Sequence, residues 1–253
     1  MTSDTGAAVR VERGLVYSPG GKQLDAYRPA QGSRPAPTVL LWHGIGPDER
    51  DILAPLAHTA AAHGLLVLVP DWRSDAADGG RAQLLESLAF VRGEAGGLGG
   101  DGESFVLAGW SAGAGAALGV ALRPEDTGGR RPAAVVGVAG RYDLLARTTG
   151  SAPLADLAAG RDPGVPVHLV HGTRDTVLPP EHSRDLAQAL RTAGRAVTLQ
   201  ESDTDHAGVI MTAYDPAADR CVPTADERAV AAGRLVAGVL AVACGAARPG
   251  HSL

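Results

Sequence analysis

Cysteine is scarce in this chain: Cys221 and Cys244 are the only two in 253 residues. They supply neither a metal-ligand spacing nor a disulfide framework, so no metal is expected and a reducing compartment fits. Long apolar runs are missing too. The longest, Leu235 to Ala247, is too short to span a bilayer, and the opening segment MTSDTGAAVRVERG lacks the apolar core of a secretory signal. A cytoplasmic protein with no membrane partner is the expectation. Positive charge is thin: lysine occurs once, at Lys22, and 23 Lys plus Arg against 28 Asp plus Glu leave a formal net charge of −5. With no basic stripe to override that balance, nucleic acid is not an expected partner. There is no internal repeat, and no Pro/Gly linker long enough to separate two domains. Aromatic residues make up only 4%, but 45% hydrophobic and 20% charged residues are ordinary for a soluble globular protein and exclude a disordered or fibrous chain. A single domain over residues 1–253 is expected.

What the chain does contain is alternation. The segments RVERGLVYS and KQLDAYRPA flank PGG, whose glycines suit a tight turn, and predict an antiparallel hairpin within residues 1–30. Continuously apolar runs, TVLLWHG (38–44) and LLVLVPDW (65–72), then read as buried strands. Between and after them come helical stretches, among them one with an apolar stripe at Leu84, Leu85, Leu88 and Val91. SFVLAGW, AAVVGVAG, PVHLVHG and AVTLQES continue the strands, and a last helix runs from about Asp226 to Ala243. Roughly eight strands and five or six helices in this order predict an α/β fold with βαβ crossovers and a mostly parallel sheet. Residues 141–164 have room for a small cap at most, and the tail from 248 to 253 is expected to fray.

The sharpest motif is GWSAG at 109–113. A serine hydroxyl is a weak nucleophile unless it is held clear of its backbone, paired with a base and set beside oxyanion donors. G-x-S-x-G serves the first need, because a very sharp turn from strand to helix crowds the positions two before and two after the serine. Gly109 and Gly113 relieve that crowding, FVLAG supplies the strand, and AGAGAAL supplies a helix start of small residues. The competing reading of Ser111 is a helix cap, with its hydroxyl turned toward the N–H groups of its own helix.

At this point the chain resembles the α/β-hydrolase family, in its esterase and lipase-like branch, which includes carboxylesterases and arylformamidases. The resemblance rests on HG at 43–44, GWSAG at 109–113, HGTRD at 171–175 and the histidine at 206, with VPDWR and GRYDL as less specific support. It implies an α/β-hydrolase fold: a mostly parallel eight-stranded sheet with helices on both faces. It also implies the chain order nucleophile, acid, histidine. Ser111 is then the nucleophile. His206, in the polar loop SDTDHAGVI, is the base, since His182 lies in a helix and His251 in the tail. Asp175 is the acid, with Asp143 in GRYDL as the rival; Asp203 and Asp205 sit too close to His206 in sequence to orient it easily. The oxyanion donors are the backbone N–H of Ala112 and one from the loop after LLWHG, Ile45 or else Gly46, because His-Gly-Ile-Gly-Pro stands where many esterases of the family have His-Gly-Gly-Gly. His43 closes that turn structurally. Trp42, Trp72 and Trp110 adjoin strand ends and are either plain packing or walls of an acyl pocket; Trp110 and Gly46 are the substrate-binding candidates. Cys221, in a polar loop, is a free thiol without a role.

Ser, His and Asp with an oxyanion hole imply acyl transfer. The expected activity is hydrolysis of a small or medium carboxylic ester, with a small-molecule acyl substrate and no cofactor or metal. An acyl transferase, thioesterase or lactone-forming cyclase, an amidase or formamidase, and a non-catalytic binding module on the same fold are the alternatives. Neither the substrate nor the oligomeric state is legible.

Overall fold

The computed structural model describes residues 8–30 and 35–246; the tail from 248 and His251 lie outside them. The chain opens with β1 (Val9–Val16) and β2 (Gln23–Pro29), an antiparallel pair whose turn carries Gly21 at φ 79°. There follow β3 (Ala36–Trp42), α1 (Ala54–Ala61), β4 (Leu66–Pro70), α2 (Arg81–Glu94), β5 (Gly100–Trp110) and α3 (Ala112–Leu122). Then come β6 (Ala134–Val138), α4 (Pro153–Ala158), β7 (Val167–Gly172), α5 (Glu181–Thr192) and β8 (Val197–Ser202). Eight strands form one sheet in the order β1-β2-β4-β3-β5-β6-β7-β8. It is parallel from β4 through β8 and antiparallel only where β1 and β2 join.

Side chains alternate across a strand, and both faces of this sheet are covered, so both sets must be apolar. Leu40 and Trp42 of β3 face one core with Leu66, Leu68 and Leu107; Val39 and Leu41 face the other with Val67, Val69, Val106 and Ala108. Helices α2, α3, α4 and α5 close the first core, and α1 with the final helix α6 (Glu227–Ala243) closes the second. Helix α3 is apolar all round because it is sunk in the first core: every residue from Gly113 to Leu122 is buried. Helix α2 departs from its expected stripe. Leu85 is only partly buried, and Ser87 takes a place in the core instead, accepting a 2.9 Å hydrogen bond from Trp42 Nε1. Helix α6 starts on Asp226, whose carboxylate accepts the Arg228 and Ala229 N–H groups at 3.0 Å.

One segment corrects the sequence reading. The stretch around Cys221 is not a loop but a two-stranded antiparallel hairpin, β9 (Thr212–Asp215) and β10 (Arg220–Pro223), with Cys221 half-buried in β10. Its turn is held by side chains: Asp215 Oδ1 accepts the Ala217 N–H at 2.9 Å, and Tyr214 bonds Asp219, which sits at φ 49°. The strands have no continuous apolar face, so no alternation marks them in the sequence. Residues 141–164 run past the carboxyl edge of the sheet into the short α4, which packs on α3 and α5.

Candidate active site

The turn from β5 into α3 places Ser111 at φ 55°, ψ −119°, a conformation that L residues rarely adopt. Its N–H donates to Val138 O at 2.9 Å, and its hydroxyl makes no capping bond to α3, which removes the helix-cap reading. The flanking glycines are steric requirements. A Cβ on Gly109 would lie 2.1 Å from the Gly113 carbonyl, and one on Gly113 would lie 2.6 Å from His43 O. Gly44 is confined in the same way, since a Cβ there would meet the Trp110 ring at 2.9 Å and Ser111 Cβ at 3.0 Å. The loop after β3 therefore lies directly against the serine.

Asp175 follows β7 in a tight turn. Its Oδ1 accepts the N–H groups of Val177 at 2.9 Å and Leu178 at 2.8 Å, which fixes the carboxyl plane. Its Oδ2 takes the Nδ1–H of His206 at 2.6 Å. The same oxygen lies 3.3 Å from Nε2 of His171, a fully buried ring that bonds Ser183 Oγ at 2.7 Å and Leu178 O at 2.8 Å. Burial pushes the Asp175 carboxyl upward, but the hydrogen bonds from His171 and His206 prevail and hold it well below the usual carboxylate range. A proton held on His206 Nδ1 leaves Nε2 as the acceptor. His206 in turn is tied to the elbow: Trp110, the residue before the serine, donates from Nε1 to His206 O at 3.0 Å, and the two rings lie 4.9 Å apart. Ser111 and His206 share no hydrogen bond of their own in this structure; such bonds are often long before substrate binds.

Asp143, the rival acid, is elsewhere. Arg141 grips it with two hydrogen bonds of 2.7 and 3.0 Å, and its nearest histidine is His182, at 4.0 Å. Among the oxyanion candidates, the Gly46 N–H is already donated to Ser74 Oγ at 3.0 Å, while those of Ala112 and Ile45 carry no hydrogen bond to another described residue. Ala112 is the first residue of its helix, so its N–H has no carbonyl one turn back to bond.

His43 holds this loop in shape. Its Nδ1–H bonds Gly44 O at 3.0 Å, and its Nε2 accepts the Glu49 N–H at 3.3 Å and the Trp72 N–H at 3.2 Å. Nε2 can accept only while the ring is neutral, and complete burial pushes the His43 pKa down to about 4. The unfolded chain takes up that proton near pH 6.5, the folded chain only near pH 4, so stability falls as pH drops through this window, by about 3 kcal/mol. Urea unfolding of the wild type and His43→Gln at pH 7 and pH 4.5 is expected to show a shallower pH dependence in the variant. Equal slopes would contradict the assignment.

A cleft of about 820 Å³ at the carboxyl edge has Ser111 and Ala112 in its wall. Ile45, Leu144, Leu145 and Val177, each 56–69% exposed, line it, and they are four of the eight large hydrophobic side chains exposed among the described residues. The substrate-binding candidates stand differently. Trp110 is buried against His206, and neither it nor Gly46 lines the cleft; Trp42 and Trp72 are fully buried, Trp72 stacked 5.1 Å from His43. The cleft-lining Leu144, Leu145, Val177, Arg81 and Arg147 were not anticipated. The pair of leucines in the otherwise polar segment RYDLLART is the one signal that pointed to them. Among the described residues, no three His, Cys, Asp or Glu side chains are grouped to hold a metal ion, and no helix is long and apolar enough to cross a membrane.

Comparison with solved structures returns the same architecture. Esterase 2 of Thermogutta terrifontis in its apo form superposes with a TM-score of 0.68 at 20% identity, covering 97% of each chain. The same esterase phosphorylated by paraoxon gives 0.69 at 20% identity with the same coverage. A truncated carbohydrate esterase from gut microbiota gives 0.65 at 15% identity, covering 96% of this chain and 98% of that one. A comparison with curated proteins found no match. A family model described as alpha/beta hydrolase fold matches residues 53–239, a span that takes in the elbow, the aspartate and the histidine. The chain belongs to the α/β-hydrolase fold family.

Proposed function

We propose that this chain is a serine hydrolase that cleaves a small or medium carboxylic ester through an acyl-enzyme. The observation that carries the reading is the 2.6 Å bond between His206 Nδ1 and Asp175 Oδ2, on a loop anchored by the residue preceding Ser111. Ser111 Oγ attacks the ester carbonyl carbon while His206 Nε2 takes its proton. Asp175 keeps the ring in the productive tautomer and stabilises the imidazolium that forms. The oxyanion develops against the Ala112 and Ile45 N–H groups, a contribution worth about 10²–10³ in turnover for each donor. His206 then protonates the departing alkoxide. Water, deprotonated by the same ring, attacks the acyl-enzyme and releases the carboxylic acid.

The similar proteins are an esterase, also captured phosphorylated by paraoxon, and a carbohydrate esterase, and their names support ester chemistry for this fold. The apolar rim of Ile45, Leu144, Leu145 and Val177 supports an acyl or alcohol group bulkier than acetate. The test is turnover of 4-nitrophenyl butyrate by the wild type and by Ser111→Ala. The reading holds if the variant loses it and fails if the variant keeps it.

A further inference from the structure

The cleft that contains Ser111 also has a charged lining. Ile45, Ser111, Ala112 and Val177 line it, and so do Asp78, Gly79, Arg81, Asp126 and Arg147. Arg81 and Arg147 make no ion pair with any other described residue. Arg147 donates from Nη1 to Ser74 O at 3.3 Å; Arg81 donates from Nε to Thr148 O at 2.9 Å and from Nη2 to Asp126 O at 3.2 Å. Backbone carbonyls orient a guanidinium without neutralising it, and each group has five N–H donors in a planar fork. Arg147 thus uses one of its five and Arg81 two. Gly79 explains how Arg147 reaches the cleft, since a Cβ there would come within 2.9 Å of Nη1.

Of the acids nearby, Asp78 accepts the Gly80 N–H at 2.9 Å and the Ala82 N–H at 2.7 Å and feels the charge of Arg81 without an ion-pair contact, and the Asp126 carboxylate lies 3.9 Å from Arg123 Nη1. The third arginine of the lining, Arg141, is taken up by Asp143. Arg147 and Arg81 are therefore the cations with donors left to offer a ligand.

We infer that the natural substrate is an ester bearing a second, anionic group, a carboxylate, which Arg147 and Arg81 grip while the ester carbonyl sits at Ser111. This rests on the ester-hydrolase reading and narrows it: the apolar rim takes the body of the molecule, and the arginine pair selects for charge. A carboxylate in this place would form charge-assisted, fork-matched hydrogen bonds that a neutral ester cannot form.

The test compares matched substrates. With the charge in the acyl half, the pair is the 4-nitrophenyl monoester of glutaric acid against 4-nitrophenyl pentanoate. With the charge in the alcohol half, it is 4-butyryloxybenzoate against phenyl butyrate. In at least one pair the charged member is expected to have the higher kcat/KM. That ratio is expected to fall about tenfold in Arg147→Gln and in Arg81→Gln, mainly through KM, and to shrink as salt is raised. Because the readout is a ratio, a general loss of activity cancels. Ratios unchanged by both substitutions in both pairs overturn the inference. Calorimetric binding of glutarate and of 4-hydroxybenzoate to Ser111→Ala needs no turnover, so it separates the two claims. Binding of either anion that is lost in the Ser111→Ala/Arg147→Gln double variant supports the anion site even if no ester is cleaved. Binding of neither overturns the site even if neutral esters are cleaved.

Discussion

Replacing Ser111 with alanine is expected to lower kcat on 4-nitrophenyl butyrate by about 10⁵–10⁶, because a nucleophile and its base act as one unit and the loss of either disables both. KM is expected to change little, since the hydroxyl contributes to the transition state far more than to ground-state binding. The fold is expected to survive. The serine side chain caps no helix, and alanine fits where serine does at φ 55°. A thermal midpoint near that of the wild type would separate chemistry from unfolding. Residual turnover above the uncatalysed rate is expected from the Ala112 and Ile45 donors and from the cleft.

Asp175→Asn is expected to cost about 10⁴ in kcat. The hydrogen bonds around Asp175 dictate why. Oδ1 is committed to the N–H groups of Val177 and Leu178, so the asparagine carbonyl oxygen must remain there and its amide NH₂ must occupy the Oδ2 position. That NH₂ would then face His206 Nδ1 and, on its other side, His171 Nε2. To accept from the amide, His206 must move its proton to Nε2, the atom that has to take the proton of Ser111. Asp143→Asn is the control, since among the described residues that carboxylate pairs with Arg141 and His182 alone. It is expected to leave kcat close to the wild-type value. Steady-state kinetics of the two variants side by side would check both statements, and the reverse order of losses would move the acid to Asp143.

The elbow was legible in the sequence because its constraint is steric and local: no residue larger than glycine fits at 109 or 113, so the chemistry is written as a spacing. The sheet was legible for a related reason. Strands buried on both faces must be largely apolar, and β3, β4 and the second half of β5, Phe105 to Trp110, announce themselves as apolar runs; the polar first half of β5, Gly100 to Ser104, does not. Relations between loops were not legible. Asp143 and Asp175 both follow strand ends, and the choice turns on Arg141, two residues before one of them, and on His206, thirty-one residues after the other. Ile45 stands ahead of Gly46 in the sequence by a narrow margin; the Ser74 hydroxyl that takes up the Gly46 N–H is a contact no sequence pattern announces. Trp110 read as a pocket wall because a tryptophan at a strand end has no motif to say that its Nε1 reaches the histidine loop. His171 was visible only as part of HGTRD, and its contact with Asp175 depends on how the turn after β7 folds back. Val177 is an ordinary hydrophobic residue in the sequence, and Leu144 and Leu145 stand out there only as a leucine pair in a polar segment. Their exposure beside Ser111 is set by the fold.

The central claim is that Ser111 is made nucleophilic by the His206–Asp175 pair. Its most direct measurement is peptide mapping by mass spectrometry after treatment of the native protein with a fluorophosphonate. One adduct per chain on the Ser111 hydroxyl is the predicted result. A chain that stays unmodified, or one modified at a different serine, would contradict it.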